Sequence, residues 1–114
     1  MAKADIQEQY GLFINGEFVP ASDGATFDAH NPANGEHLAY FAEATKEDVD
    51  KAVKAARAAL PEWSKTSPIE RQNILLKLAD IIDANLDHLA LVETLDNGKP
   101  IRETTAPSSP VGSD

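Results

Sequence analysis

The side chains in these 114 residues that could do chemistry are carboxylates, three histidines and hydroxyls; there is no cysteine. That absence removes disulfides, thiolate metal sites and a cysteine nucleophile together. Paired carboxylates can serve as acid and base or hold a cation. Two groupings invite the idea: Glu43 with Glu47 and Asp48, and Asp83 with Asp87 about one helical turn away. Neither gathers a third ligand in sequence, so a helix cap and a solvated face are the default readings. His30, His37 and His88 show no ligand spacing, and surface or packing roles are expected for each. Ser67 has no His/Asp partners nearby and reads as a cap rather than a nucleophile. The pattern G-x-G-x-x-G is absent, so no glycine-rich turn is present to hold a pyrophosphate.

The elements that would position these residues change character at Thr45. Before it the pattern is β. Leu12-Phe13-Ile14 and Glu17-Phe18-Val19 flank Asn15-Gly16, a pair suited to the positive φ angles of a type I′ hairpin. Thr26-Phe27-Asp28-Ala29 and His37-Leu38-Ala39-Tyr40-Phe41-Ala42 read as two further strands, separated by the turn formers Asn31-Pro32 and Asn34-Gly35. These segments predict one small antiparallel β unit, with residues 1–10 polar and loose. From Thr45 onward the period is helical. Thr45-Lys46-Glu47-Asp48 is a capping-box start, and Val49, Ala52, Val53, Ala56 and Leu60 fall on one face. Pro61 is expected to stop that helix. Ser67-Pro68-Ile69-Glu70 opens a second helix with proline at its first position. Its apolar stripe runs from Ile74 to Val92, with a break expected near Asn85. Trp63, between the two, reads as a packing wedge. Gly98 then closes the helix, Pro100 blocks continuation, and Ile101 to Ala106 reads as a short new start.

Composition bounds the function further. Hydrophobic content of 42% and charged content of 25% are near globular averages, which argues against wholesale disorder. A formal net charge of −9 repels phosphate backbones and anionic lipid, so neither nucleic acid nor a membrane surface is an expected partner. No window approaches the about 18 apolar residues of a membrane helix, and the first residues are not a signal peptide. A cytoplasmic location is expected. The apolar stripe of the second helix is wider than an alanine-faced helix and a hairpin can cover.

Several phrases carry a resemblance. Phe13-Ile14-Asn15-Gly16-Glu17-Phe18 resembles the opening strand of NAD(P)-dependent aldehyde dehydrogenases, and Asn31-Pro32-Ala33-Asn34-Gly35-Glu36 resembles their N-P-x-x-G-E turn. Lys46 to Ala59 is similar to their first helix; Trp63, Arg71 and Leu78-Ala79-Asp80 are similar to residues of the next. Glu93-Thr94-Leu95-Asp96-Asn97-Gly98-Lys99-Pro100 resembles their helix-ending phrase. The agreement runs in order from Leu12 to Ala106, and Lys99 to Thr104 looks most like the acetaldehyde and short-chain aldehyde branch. The resemblance implies an α/β fold: an incomplete N-terminal part of the coenzyme-binding domain, a small antiparallel β unit followed by long helices. It divides the chain into a flexible N-terminus at 1–11, the domain part at 12–106 and an irregular tail at 107–114. In that family the catalytic cysteine, the general-base glutamate, the cofactor turn and the oligomerisation hairpin lie further along and have no matching position here. NAD or NADP therefore belongs to the complete family enzyme, and neither cofactor nor catalysis is expected of this chain alone. Homo-oligomers, as the family forms, would need the segment this chain does not carry. Some members hold a monovalent cation on main-chain carbonyls before the Asn-Pro pair and on the aspartate of L-D-N-G; the matching residues are Ala29, His30 and Asp96. Two other readings compete: a free-standing interaction module docking through its apolar helical face, and a disrupted reading frame.

Overall fold

In the computed structural model, which describes residues 5–105, five short strands precede four helices. The tail at 107–114 lies outside the described residues. Strands β2 (Leu12–Ile14) and β3 (Glu17–Val19) form the expected hairpin, with Leu12 opposite Val19 and Ile14 opposite Glu17. Asn15 and Gly16 both take positive φ, 54° and 80°, as a two-residue turn matching the twist of its strands requires.

The remaining strands do not join that hairpin. β4 (Thr26–His30) pairs antiparallel with β5 (His37–Ala42), and β1 (Gln9–Tyr10) pairs parallel on the other side of β5. The expected single antiparallel unit is thus two sheets, one of them mixed in order β1-β5-β4. The loose start assigned to residues 1–10 is also not what residues 9 and 10 do. Tyr10 stacks on Phe41 at 5.2 Å, Phe41 stacks on Phe27 at 5.6 Å, and the three rings form a row across the sheet. Cross-strand aromatic pairs of this kind stabilise a sheet beyond its backbone hydrogen bonds. The Tyr40 N–H donates to the Glu8 carbonyl at 2.9 Å and extends the pairing.

Helix α1 (Lys46–Lys65) starts on the capping box read from Thr45 and Asp48, and α2 (Pro68–Ala84) on the one read from Ser67 and Glu70. The structure departs from the sequence reading at Pro61, which lies inside α1 rather than at its end. The carbonyls of Pro61 to Ser64 have each found a donor. Ser64 Oγ donates to the Pro61 carbonyl at 3.0 Å, and Thr66 Oγ1 to that of Glu62 at 3.2 Å. Arg71 Nη2, from the next helix, donates to the carbonyls of Trp63 at 2.9 Å and Ser64 at 3.1 Å. This tertiary capping offsets the hydrogen bond that proline cannot make. Trp63 lies in the last turn of α1 rather than between the helices, 47% exposed, with the same guanidinium 5.4 Å from its ring centre.

The break expected near Asn85 is present: α2 ends there and α3 (Leu86–Asn97) begins. Gly98 closes α3 at φ 79°, and α4 (Ile101–Thr105) packs back on it. Thr94 and Thr104 hydroxyls meet at 3.1 Å across that pair. Among the described residues the core is small and built of alanine: Ala21, Ala39, Ala42 and Ala90 are buried, and no large side chain is fully enclosed.

Candidate functional site

The phrase ending α3 meets the Asn-Pro turn after β4, where a Gly98 Cβ would lie against Pro32. Asn31 is 4% exposed, and its main chain and Oδ1 are all hydrogen-bonded. Its N–H donates to the Glu36 carbonyl at 2.8 Å, its carbonyl accepts from Gly35 N–H at 2.7 Å, and its Oδ1 accepts from Ala33 N–H at 2.9 Å. Pro32 is held by this turn against Gly98. A Cβ on Gly98 would lie 3.2 Å from Pro32 Cγ, so glycine serves both the left-handed cap and the close approach. As a result Ala29 and Asp96 line one cavity of about 500 Å³, walled by Tyr10, Leu38, Phe41 and Leu89. His30, the third expected residue, is not among its lining residues. Its ring faces Asp28 instead, Nε2 to Oδ2 at 3.3 Å.

The histidines are closer together than the sequence reading allowed. His30 and His37 are register partners across β4 and β5, with ring centres 6.3 Å apart. His37 Nδ1 bonds Asp28 Oδ1, and its Nε2 lies 3.2 Å from Glu8 Oε1. The hydrogen bond to Asp28 is the main reason the His37 pKa is raised above its ordinary value; partial burial opposes it, and Glu8 adds to it. Only the protonated ring can donate to both carboxylates at once. Both nitrogens are engaged, so the group is a tether between β4, β5 and Glu8, the residue before β1, rather than a free general base. The signal that could have revealed it was the turn at Asn34-Gly35, since antiparallel pairing across it sets position 30 opposite 37.

Asp48 is the other strongly held carboxylate, 4% exposed. Its Oδ2 accepts from the N–H groups of Thr45 at 2.9 Å and Ser22 at 3.0 Å, and from Thr45 Oγ1 at 3.0 Å. Those backbone donors pull its pKa below the ordinary carboxylate value, with burial acting against them. It ties the turn after β3 to the start of α1, and every contact it makes is structural. Asp83 and Asp87 fall on different helices, either side of Asn85. Among the described residues no cluster of three or more His, Asp or Glu side chains could hold a metal ion.

Comparison with known proteins gives these corners a context. Residues 18–111 match the aldehyde dehydrogenase family. The acetaldehyde dehydrogenase of Pseudomonas aeruginosa is 48% identical over 113 residues, which is 99% of this chain and 22% of that protein. The aldehyde dehydrogenase of Bacillus cereus solved as an NAD+ complex is 47% identical with a TM-score of 0.79, matching 83% of this chain and 20% of its own. The NAD-dependent aldehyde dehydrogenase from Sinorhizobium meliloti is 39% identical with a TM-score of 0.83, over 88% of this chain and 20% of its own. The chain thus spans about 20% of the length of the relatives it matches.

Proposed function

The chain belongs to the aldehyde dehydrogenase family, and on that premise we propose that it is the opening segment of an oxidoreductase that converts aldehydes to carboxylic acids with NAD(P). Acetaldehyde and similar short aldehydes are the substrate class that the Pseudomonas relative and the Lys99–Thr104 phrase support. NAD(P), when bound to the complete enzyme, would supply the hydride acceptor. The residues here neither attack nor protonate the substrate. They brace the coenzyme-binding domain, and the observation that carries this is the fold match extending over most of this chain and about 20% of each relative. A self-contained interaction module finds no support in these matches. The complete enzyme would be cytoplasmic and homo-oligomeric, assembled through another segment. In keeping with that, no helix among the described residues is long and apolar enough to cross a membrane.

The cation site belongs to the same proposal. Main-chain carbonyls of Ala29 and His30 with the Asp96 carboxylate form an all-oxygen donor set, the kind a hard cation takes. Ala29 and Asp96 share a cavity, and the Pro32–Gly98 contact holds their two segments together. The downstream part of the enzyme would complete the coordination.

One chimera tests both statements. This chain is joined to the remaining portion of the Pseudomonas acetaldehyde dehydrogenase, and NADH formation from acetaldehyde is followed. The chimera should turn over, while the chain alone should show no rate above a heat-killed control, having no thiol for attack. Turnover by the chain alone, or a folded but inactive chimera, would sink the proposal. Exchanging potassium for a bulky organic cation should lower the melting temperature of the chimera but not that of its Asp96→Ala variant. An equal response in both removes the cation from Asp96.

A further inference from the structure

Three Asn-Gly pairs occur here: Asn15-Gly16, Asn34-Gly35 and Asn97-Gly98. In such a pair the glycine nitrogen can attack the asparagine carboxamide, because no Cβ stands in the way. Two conditions decide whether a given pair reacts. The glycine N–H must be free to lose its proton, and the carboxamide must be free to turn. All three pairs are exposed, so exposure does not separate them.

Hydrogen bonding does. Gly35 N–H donates to the Asn31 carbonyl at 2.7 Å, and Asn34 Oδ1 accepts from Glu36 N–H at 3.0 Å. Gly98 N–H donates to the Thr94 carbonyl at 2.9 Å, and Asn97 Oδ1 accepts from Lys99 N–H at 2.7 Å. In both pairs the nucleophile and the electrophile are tied down by the local turn. At the hairpin tip neither is. Among the described residues, the Gly16 N–H and the Asn15 carboxamide have no hydrogen-bond partner.

The geometry points to Asn15 as a site of spontaneous deamidation, with the Gly16 nitrogen as internal nucleophile and water as co-reactant. Hydroxide removes the Gly16 amide proton, and the nitrogen lone pair forms a bond to Asn15 Cγ. The Cγ–Nδ2 bond breaks, and Nδ2 takes up a proton from water and leaves as ammonia. Water then opens the five-membered imide at either carbonyl, giving aspartate or isoaspartate at position 15. One water is consumed and one ammonia released. Isoaspartate adds a methylene to the main chain of a two-residue turn, whose length sets the pairing of Phe13 with Phe18. It also brings a negative charge to the tip, which faces Ala52, Ala55, Ala56 and Ala59 of α1. The hairpin therefore carries a slow, one-way change that loosens its seat on α1.

The test incubates the purified chain in mildly alkaline buffer made with 18O-labelled water and maps peptides by mass spectrometry, using electron-transfer fragmentation to tell isoaspartate from aspartate. In the folded chain, position 15 should convert several-fold faster than positions 34 and 97. In urea the three rates should converge. Conversion at 15 no faster than at the other two overturns the inference. So does a preference for 15 that persists unchanged in urea, because sequence context would then explain it without the hydrogen bonds.

Discussion

Two titrating residues hold separate parts of this fold, and their contributions fade in opposite pH directions. Asp48 has a depressed pKa, so its contribution is complete above the ordinary value of 3.8 and disappears as pH falls through the lowered one. His37 has a raised pKa, so its contribution is complete below 6.5 and disappears as pH rises through the raised one. Asp48→Asn should lower the melting temperature at neutral pH, and the gap from the parent should close in acid. His37→Gln should do the reverse, with a gap in mild acid that closes as pH rises through the raised His37 pKa. Circular-dichroism melts across pH check both, and a pH-independent gap for either variant would contradict the role assigned to it. Asp48 was legible as a cap from Thr45-x-x-Asp48, because a capping box is local. Its bond to Ser22 was not, nor was the tether of His37 to Glu8, since those partners stand 26 and 29 positions away.

At the scale of elements, Pro61 shows where local reasoning stops. A proline inside a helix removes one hydrogen bond and crowds the preceding turn, a cost of about 3 kcal/mol relative to alanine. The sequence reading ended α1 there for that reason. The helix continues because Ser64, Thr66 and Arg71 satisfy its last carbonyls, and Arg71 comes from the following helix. Pro61→Ala should therefore stabilise α1, by on the order of 1–3 kcal/mol, and should make Arg71→Met less damaging than it is in the parent. Urea denaturation of the two single variants and the double variant measures that coupling, and strict additivity would show that Arg71 does not compensate for the proline. Strand β1 was missed for a related reason. Its two residues carry no alternating pattern, and their partners, Tyr40 and Phe41 of β5, lie far along the chain. The hairpin and both capping boxes were readable because their determinants lie within a few residues of one another.

At the scale of the whole molecule, the shape explains what the elements are for. The radius of gyration is 17.9 Å, against roughly 13 Å for a compact chain of this length. Helix α2 buries none of its residues, and Ile69 and Leu75 are 69% and 65% exposed. The wide apolar stripe read from sequence is therefore real and uncovered, although its cover could not be read from periodicity alone. A soluble monomer rarely leaves so much contiguous apolar surface open, and relatives of the same fold have about five times the chain. If the rest of such an enzyme covers α2, a charge placed there is tolerated by this chain alone and intolerable in the complete fold. Leu75→Asp should leave the helical circular dichroism of the isolated chain nearly unchanged. In the chimera with the Pseudomonas enzyme the same substitution should cost several kcal/mol, because a carboxylate would be buried without a partner, and soluble, active protein should be lost. A chimera that keeps full activity and melting temperature with aspartate at position 75 would mean that α2 stays exposed in the complete enzyme, and its apolar stripe would then need another explanation.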